Sequence, residues 1–335
     1  MAILTVCLAS TVASSPGVTL GIRDTAFTLD GQPTFLLGIS YYGALGADEA
    51  TICRDLDRMT EHGFNWLRVW ATWTAYDNDV SALEDDGSPR EPYLSRLKRL
   101  VELANERRMV VDVTLTRGAK YRDRESHLWG KLPSLDAHLR AVTTLADALR
   151  PYRNVYMDIA NERNIRDERF VSYAELAVLR DAIKEVDADR LVTASHAGGD
   201  LTVADIVEYV RAARVDFLSP HRPRHVDSPA ETRAKTIEHL DQIRASGTTM
   251  PLHYQEPFRR GYAPNAWEPK ASDFMDDLCN ARDAGAAGWC LHNGDTRDGN
   301  PDRRPRRSFD LRDGSLFDQL DGEEREFLRW LRSER

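Results

Sequence analysis

Val155-Tyr156-Met157-Asp158-Ile159-Ala160-Asn161-Glu162 is the stretch on which the reading of this chain turns. Its first six residues form a short apolar, β-prone run, and it ends on an amide and a carboxylate. Downstream, Ser172-x-x-Glu175 reads as a capping box opening a helix that runs to about Val186. A buried strand, a polar end and an amphipathic helix make one βα unit.

The same unit recurs on both sides. Before it stand Phe35–Ser40 with Glu49–His62, Asn65–Ala71 with Tyr93–Arg107, and Val110–Leu115 with Leu135–Leu149. After it come Leu191–Ala194 with Val203–Ala213, Val215–Ser219 with Ala230–Ser246, Pro251–Gln255 with Ala271–Ala284, and Ala287–Leu291 with Glu323–Arg332. Short parallel-type strands alternating with helices indicate an α/β protein. Eight such units favour a closed (β/α)8 barrel, the TIM barrel, over a doubly wound sheet. No strand is followed by GxGxxG, which also disfavours a dinucleotide fold. Ahead of the barrel, Asp30-Gly31 between Gly21–Leu29 and Thr34–Leu37 predicts a short N-terminal β-hairpin. Residues 17–335 are read as one catalytic barrel. The apolar run in residues 1–16 reads either as a signal peptide, making the protein secreted or periplasmic, or as a disordered leader on a cytoplasmic one.

Composition narrows the partners. The 335 residues carry a formal charge of −9, with 41% hydrophobic and 30% charged side chains. That balance suits a globular core and disfavours nucleic acid, which usually meets a basic face. The basic tract Asp302–Arg307 reads as a solvated loop. No stretch is long enough for a membrane span. Cys7, Cys53, Cys279 and Cys290 lie far apart with no CxxC, so free thiols rather than a zinc site are expected. No metal or cofactor is called for, and a monomer or weak oligomer is expected.

Active sites of this fold sit at strand C-termini. The long loops there carry Trp73, Tyr76, Tyr121, Trp129, Tyr262 and Trp267, aromatic side chains suited to the apolar faces of sugars. Two strands end on glutamate: Asp158-Ile-Ala-Asn161-Glu162 and Leu252-His-Tyr254-Gln-Glu256. Alternation predicts that Asp158, Ala160 and Glu162 share one face, and Leu252, Tyr254 and Glu256 another, with both glutamates at the barrel mouth. Glycoside hydrolysis needs one protonated carboxyl and one carboxylate, and two neighbouring glutamates keep one proton between them.

These residues resemble the clan A glycoside hydrolases, with the cellulase-like family 5 nearest. The likeness lies in Asn161-Glu162, the strand-end Glu256, Arg68 in Trp66-Leu-Arg68-Val-Trp70, and Trp289 in the last strand. It implies a retaining double displacement on a carbohydrate, with Glu162 as acid/base, Glu256 as nucleophile and Asn161 on the sugar 2-hydroxyl. It also implies that Arg68 holds Glu256 ionised and that Trp289 floors the site. Trp70, Trp73, His196 and His221 join as candidate substrate contacts. The family's His-x-Tyr is replaced by His221-Arg222-Pro223, and Tyr254 is the candidate stand-in for its tyrosine. A non-catalytic sugar-binding barrel is the alternative. Metal-dependent hydrolysis is disfavoured by the missing strand-end HxH pair.

Overall fold

A computed structural model describes residues 17–75, 78–115, 131–165, 169–261, 267–294, 309–312 and 314–334. The leader 1–16, Tyr76, Tyr121, Trp129, Tyr262 and the basic tract lie outside the described residues.

The chain opens with a three-stranded antiparallel sheet, β1 (Leu20–Arg23), β2 (Ala26–Leu29) and β3 (Gln32–Thr34). The β2–β3 turn is the expected one: Asp30 and Gly31 both have positive φ, +52° and +77°, as a two-residue type I′ hairpin requires. The stretch 21–29 is not one strand, because it turns back on itself after Asp24, which also has positive φ (+55°).

The barrel follows: β4 (Leu36–Ser40), α1 (Glu49–Glu61), β5 (Trp66–Trp70), then a small ribbon of β6 (Thr74–Ala75) and β7 (Asn78–Asp79) before α2 (Tyr93–Glu106). Next are β8 (Val110–Thr114), α3 (Leu135–Leu149), β9 (Val155–Asp158), α4 (Tyr173–Val186), β10 (Leu191–Thr193), α5 (Val203–Glu208) and α6 (Ser228–Ala245). The run ends with β11 (His253–Tyr254), α7 (Ala271–Asp283), β12 (Gly288–Leu291), α8 (Leu316–Gln319) and α9 (Gly322–Ser333). Helix starts are written in the sequence: Asp48, Ser134, Ser172, Thr202 and Asp321 each accept a backbone N–H as N-cap.

Seven strands pair in parallel in the order β10-β9-β8-β5-β4-β12-β11. The sheet closes through residues 216–220, where Asp216 donates to the Val192 carbonyl and Leu218 to that of Pro251, while His253 donates back to Leu218. This is the sixth expected strand, reduced to isolated bridges because Pro220 has no N–H to continue a ladder. No helix among the described residues is long and apolar enough to cross a membrane.

The interior has two storeys. Its floor is apolar: Phe27 from the N-terminal ribbon packs edge-on to Phe217 (5.0 Å) and His253 (5.4 Å), beside Trp66, Val110 and Tyr156. Gly38 makes room for Trp66, since a Cβ there would lie 1.6 Å from the indole. Above this floor the inward positions turn polar: Ser40, Arg68, Asp112, Thr114, Asp158 and Gln255, all buried.

Candidate active site

The polar storey is organised by Arg68, whose three nitrogens are all used. Nε donates to Asp112 (3.1 Å) and Thr114 (3.0 Å), Nη2 to Asp158 (2.7 Å) and Asn161 (3.0 Å), and Nη1 to Glu256 (2.5 Å). The structural pairing with Asp112 and Asp158 and the contact to Glu256 therefore coexist in one side chain. Burial pushes the Asp112 carboxyl up, against the pull of Arg68.

Glu256 sits two residues past β11, 3% exposed, with both oxygens engaged. Oε1 accepts from Tyr42 and Arg68. Oε2 faces Arg224 Nη2 (3.1 Å), His221 Nδ1 (3.4 Å) and His292 Nε2 (3.7 Å). Burial acts to raise its pKa, but the histidines and the guanidinium groups of Arg68 and Arg224 outweigh it and hold the carboxyl well below the usual range.

Glu162 stands opposite. Its Oε1 is 3.3 Å from the same His221 Nδ1, so one imidazole nitrogen faces both carboxylates. Ligand atoms of Glu162, His221 and Glu256 all lie within 4.8 Å of one another. Three such groups could hold a divalent cation, yet Arg224 already occupies the Oε2 side of Glu256. Glu162 has φ of +51° and donates its backbone N–H to Ser195 Oγ (2.9 Å), whose hydroxyl donates in turn to Asn161 Oδ1 (3.3 Å). β9 has ended at Asp158, and in the turn that follows, with Glu162 left-handed, the consecutive Asn161 and Glu162 both reach the site.

Trp70 and Trp73, both 2% exposed, stand on the Glu256 side, against Tyr42. Trp70 is 5.2 Å from the Tyr42 ring and 5.1 Å from Trp73, and Trp73 is 5.3 Å from Tyr42. His196 is set back from the carboxylates: its Nδ1 faces the Tyr209 hydroxyl at 3.3 Å, and burial lowers its pKa to about 4.

Two expected site residues belong elsewhere. Tyr254 bonds Thr236 of α6 (2.7 Å), so it lies in the helix layer and does not replace the missing tyrosine. Trp289 donates to Asp277 of α7 (2.6 Å) and packs on Phe327, so it is core rather than floor. In β11 and β12 the inward positions are His253, Gln255 and Cys290. Glu256 reaches the mouth only because the strand stops at Tyr254, ahead of Pro257.

Three site residues escaped sequence reasoning. Tyr42, two residues past β4, supplies the hydroxyl on Glu256. Arg224 comes from the loop before α6, and its Nε donates to the Pro257 carbonyl (3.1 Å). His292 follows β12, with Nδ1 2.9 Å from Ser40 Oγ and 3.3 Å from the Tyr42 hydroxyl. Burial depresses its pKa well below the imidazole norm. Only His292 left a signal, since it continues the inward parity of Cys290.

No protein-family model and no curated protein sequence matches the chain. Solved structures do. A glycoside hydrolase superposes with TM-score 0.62 at 14% identity, over 82% of this chain and 65% of its own. A family 5 glycoside hydrolase from Bacteroides vulgatus ATCC 8482 gives 0.64 at 15%, over 91% and 68%. An exo-β-1,4-mannosidase from Opitutaceae bacterium strain TAV5 gives 0.59 at 17%, over 93% and 61%. The chain thus spans about two-thirds of the length of these structures. The likeness expected from the sequence holds at the level of fold: this chain has the (β/α)8 architecture of glycoside hydrolase structures, family 5 among them.

Proposed function

We propose that the protein is a retaining O-glycoside hydrolase acting on a β-linked oligo- or polysaccharide. The observation that carries this reading is the pair of strand-end glutamates, with oxygens within 4.8 Å across a shared histidine, one of them fixed by Arg68 and Tyr42. Such closeness suits a double displacement, in which the carboxyl groups stand about 5–5.5 Å apart, and leaves too little room for the water of an inverting mechanism.

In this reading Glu256 attacks C1 while Glu162 passes its proton to the leaving oxygen. Glu162 then takes a proton from water as that water attacks C1 and releases Glu256. Asn161 is set to meet the 2-hydroxyl, its carbonyl oxygen already directed to Arg68 and Ser195. Trp70 and Trp73 pack on the Tyr42 ring and so hold its hydroxyl on Glu256. Asp112, Asp158 and Gln255 act beneath the site by keeping Arg68 in place.

The test is hydrolysis of aryl β-glycosides, with β-mannosides and mannans in the panel because of the mannosidase neighbour. Glu256→Gln and Glu162→Gln should each lower kcat by roughly 1,000-fold or more. The first-formed product should retain its anomeric configuration by proton NMR. Full turnover by Glu256→Gln, or an inverted first product, would refute the reading.

A further inference from the structure

We propose that the sugar unit cleaved at this site carries an acidic group, a uronate carboxylate or a sulfate ester, and that Arg224 binds it. This rests on the hydrolase reading above and adds the substrate class.

The argument starts from which oxygen of Glu256 can react. Oε1 is tied to Tyr42 and to Arg68 at 2.5 Å, on the barrel-wall side. Oε2 faces the gap, since His221 Nδ1 bridges it to Glu162 Oε1 across 3.4 and 3.3 Å. A sugar placed between the two glutamates therefore presents C1 to Oε2. Arg224 Nη2 lies 3.1 Å from that same oxygen.

A guanidinium there opposes the chemistry in two ways. It draws electron density from the attacking lone pair, and it occupies the approach of C1. Glu256 already has the Arg68 guanidinium at shorter range on Oε1. The contact makes sense when the ligand brings its own negative charge. Arg224 then exchanges one anion for another, its charge stays paired in a nearly dry site, and Oε2 is released for attack. The Nε bond to the Pro257 carbonyl keeps the guanidinium at the mouth while Nη2 changes partner. A neutral sugar offers nothing to draw Arg224 away, so it meets a masked nucleophile.

The experiment compares 4-nitrophenyl β-D-glucuronide, 6-sulfo-β-D-glucoside, β-D-glucoside and β-D-mannoside with the full chain. One acidic substrate should exceed its neutral counterpart in kcat/KM by roughly 100-fold, and the two acidic arms tell carboxylate from sulfate. Arg224→Met should bring the acidic-to-neutral ratio close to unity, mainly through KM, with Arg224→Lys restoring part of it. Calorimetric titration of the Glu162→Gln protein with acidic and neutral oligosaccharides provides a measurement independent of turnover. Preference for neutral sugars in either assay overturns the inference and leaves the hydrolase reading intact. Tight acidic binding that Arg224→Met abolishes, with no turnover on any substrate by the unmutated chain, keeps Arg224 as the acid-binding residue and overturns the hydrolase reading. Equal binding of both classes with no turnover overturns both.

Discussion

Glu162 occupies left-handed backbone, which costs a non-glycine residue roughly 1 kcal/mol or more, and the return is two adjacent functional side chains on one strand end. The positions of the glutamates were legible in the sequence because residue type and a place just past a strand single them out, and that of Arg68 because it is the one charge inside an apolar strand. Tyr42 and Arg224 were not. They lie on segments past the strands, where no periodicity says which way a side chain points. Tyr42 offers a direct check. Tyr42→Phe removes one donor from Glu256 Oε1 while leaving Arg68 in place, so kcat should fall by roughly 10- to 100-fold with little change in the unfolding midpoint. An unchanged kcat would mean that the hydroxyl does not support Glu256.

Among the elements, helices were the easiest to read, because caps such as Ser172/Glu175 and 3.6-residue stripes mark their ends and buried faces. The strands were harder. Tyr254 was given the wrong face, since a two-residue strand such as β11 is too short for alternation to be counted safely past its end, and Trp289 of β12 was put in the site by resemblance rather than by alternation. Their true setting is a buried polar layer between barrel and helices, where Asp277 accepts from Trp289 and Thr232 and burial lifts its carboxyl to about 6. Trp289→Phe leaves that carboxyl short of a donor. It should cost about 2 kcal/mol in urea unfolding, with turnover per folded molecule unaltered. A specific loss of turnover at unchanged stability would return Trp289 to the site.

For the whole molecule, the C-terminal helix is the tie between barrel and mouth. Glu324 of α9, fully buried, accepts from the N–H groups of Asp321 and of Gly294, just past β12. Burial, with Asp321 nearby, raises its pKa from 4.5 to about 8. The folded protein thus holds a proton there that the unfolded chain releases. Because the folded value is the higher, stability from this group is fully present below about pH 4.5 and declines as pH rises toward 8, with a slope of up to about 1.4 kcal/mol per pH unit. Glu256 acts in the opposite sense, its contribution fading as pH falls through its depressed folded value. Melting temperatures across this range should therefore drop on the alkaline side, and Glu324→Gln should flatten that limb. An unchanged slope would show that Glu324 is ionised in the fold.

The ribbon that seats Phe27 against Phe217 and His253 fixes more than a floor. It delivers the start of the described chain to the face opposite the carboxylates, with Leu20 bonded to the Arg153 carbonyl. A tether or fused module joined just ahead of Val18 departs from that closed end. The protein can then be anchored to a bead or sensor surface with its open mouth turned to solution.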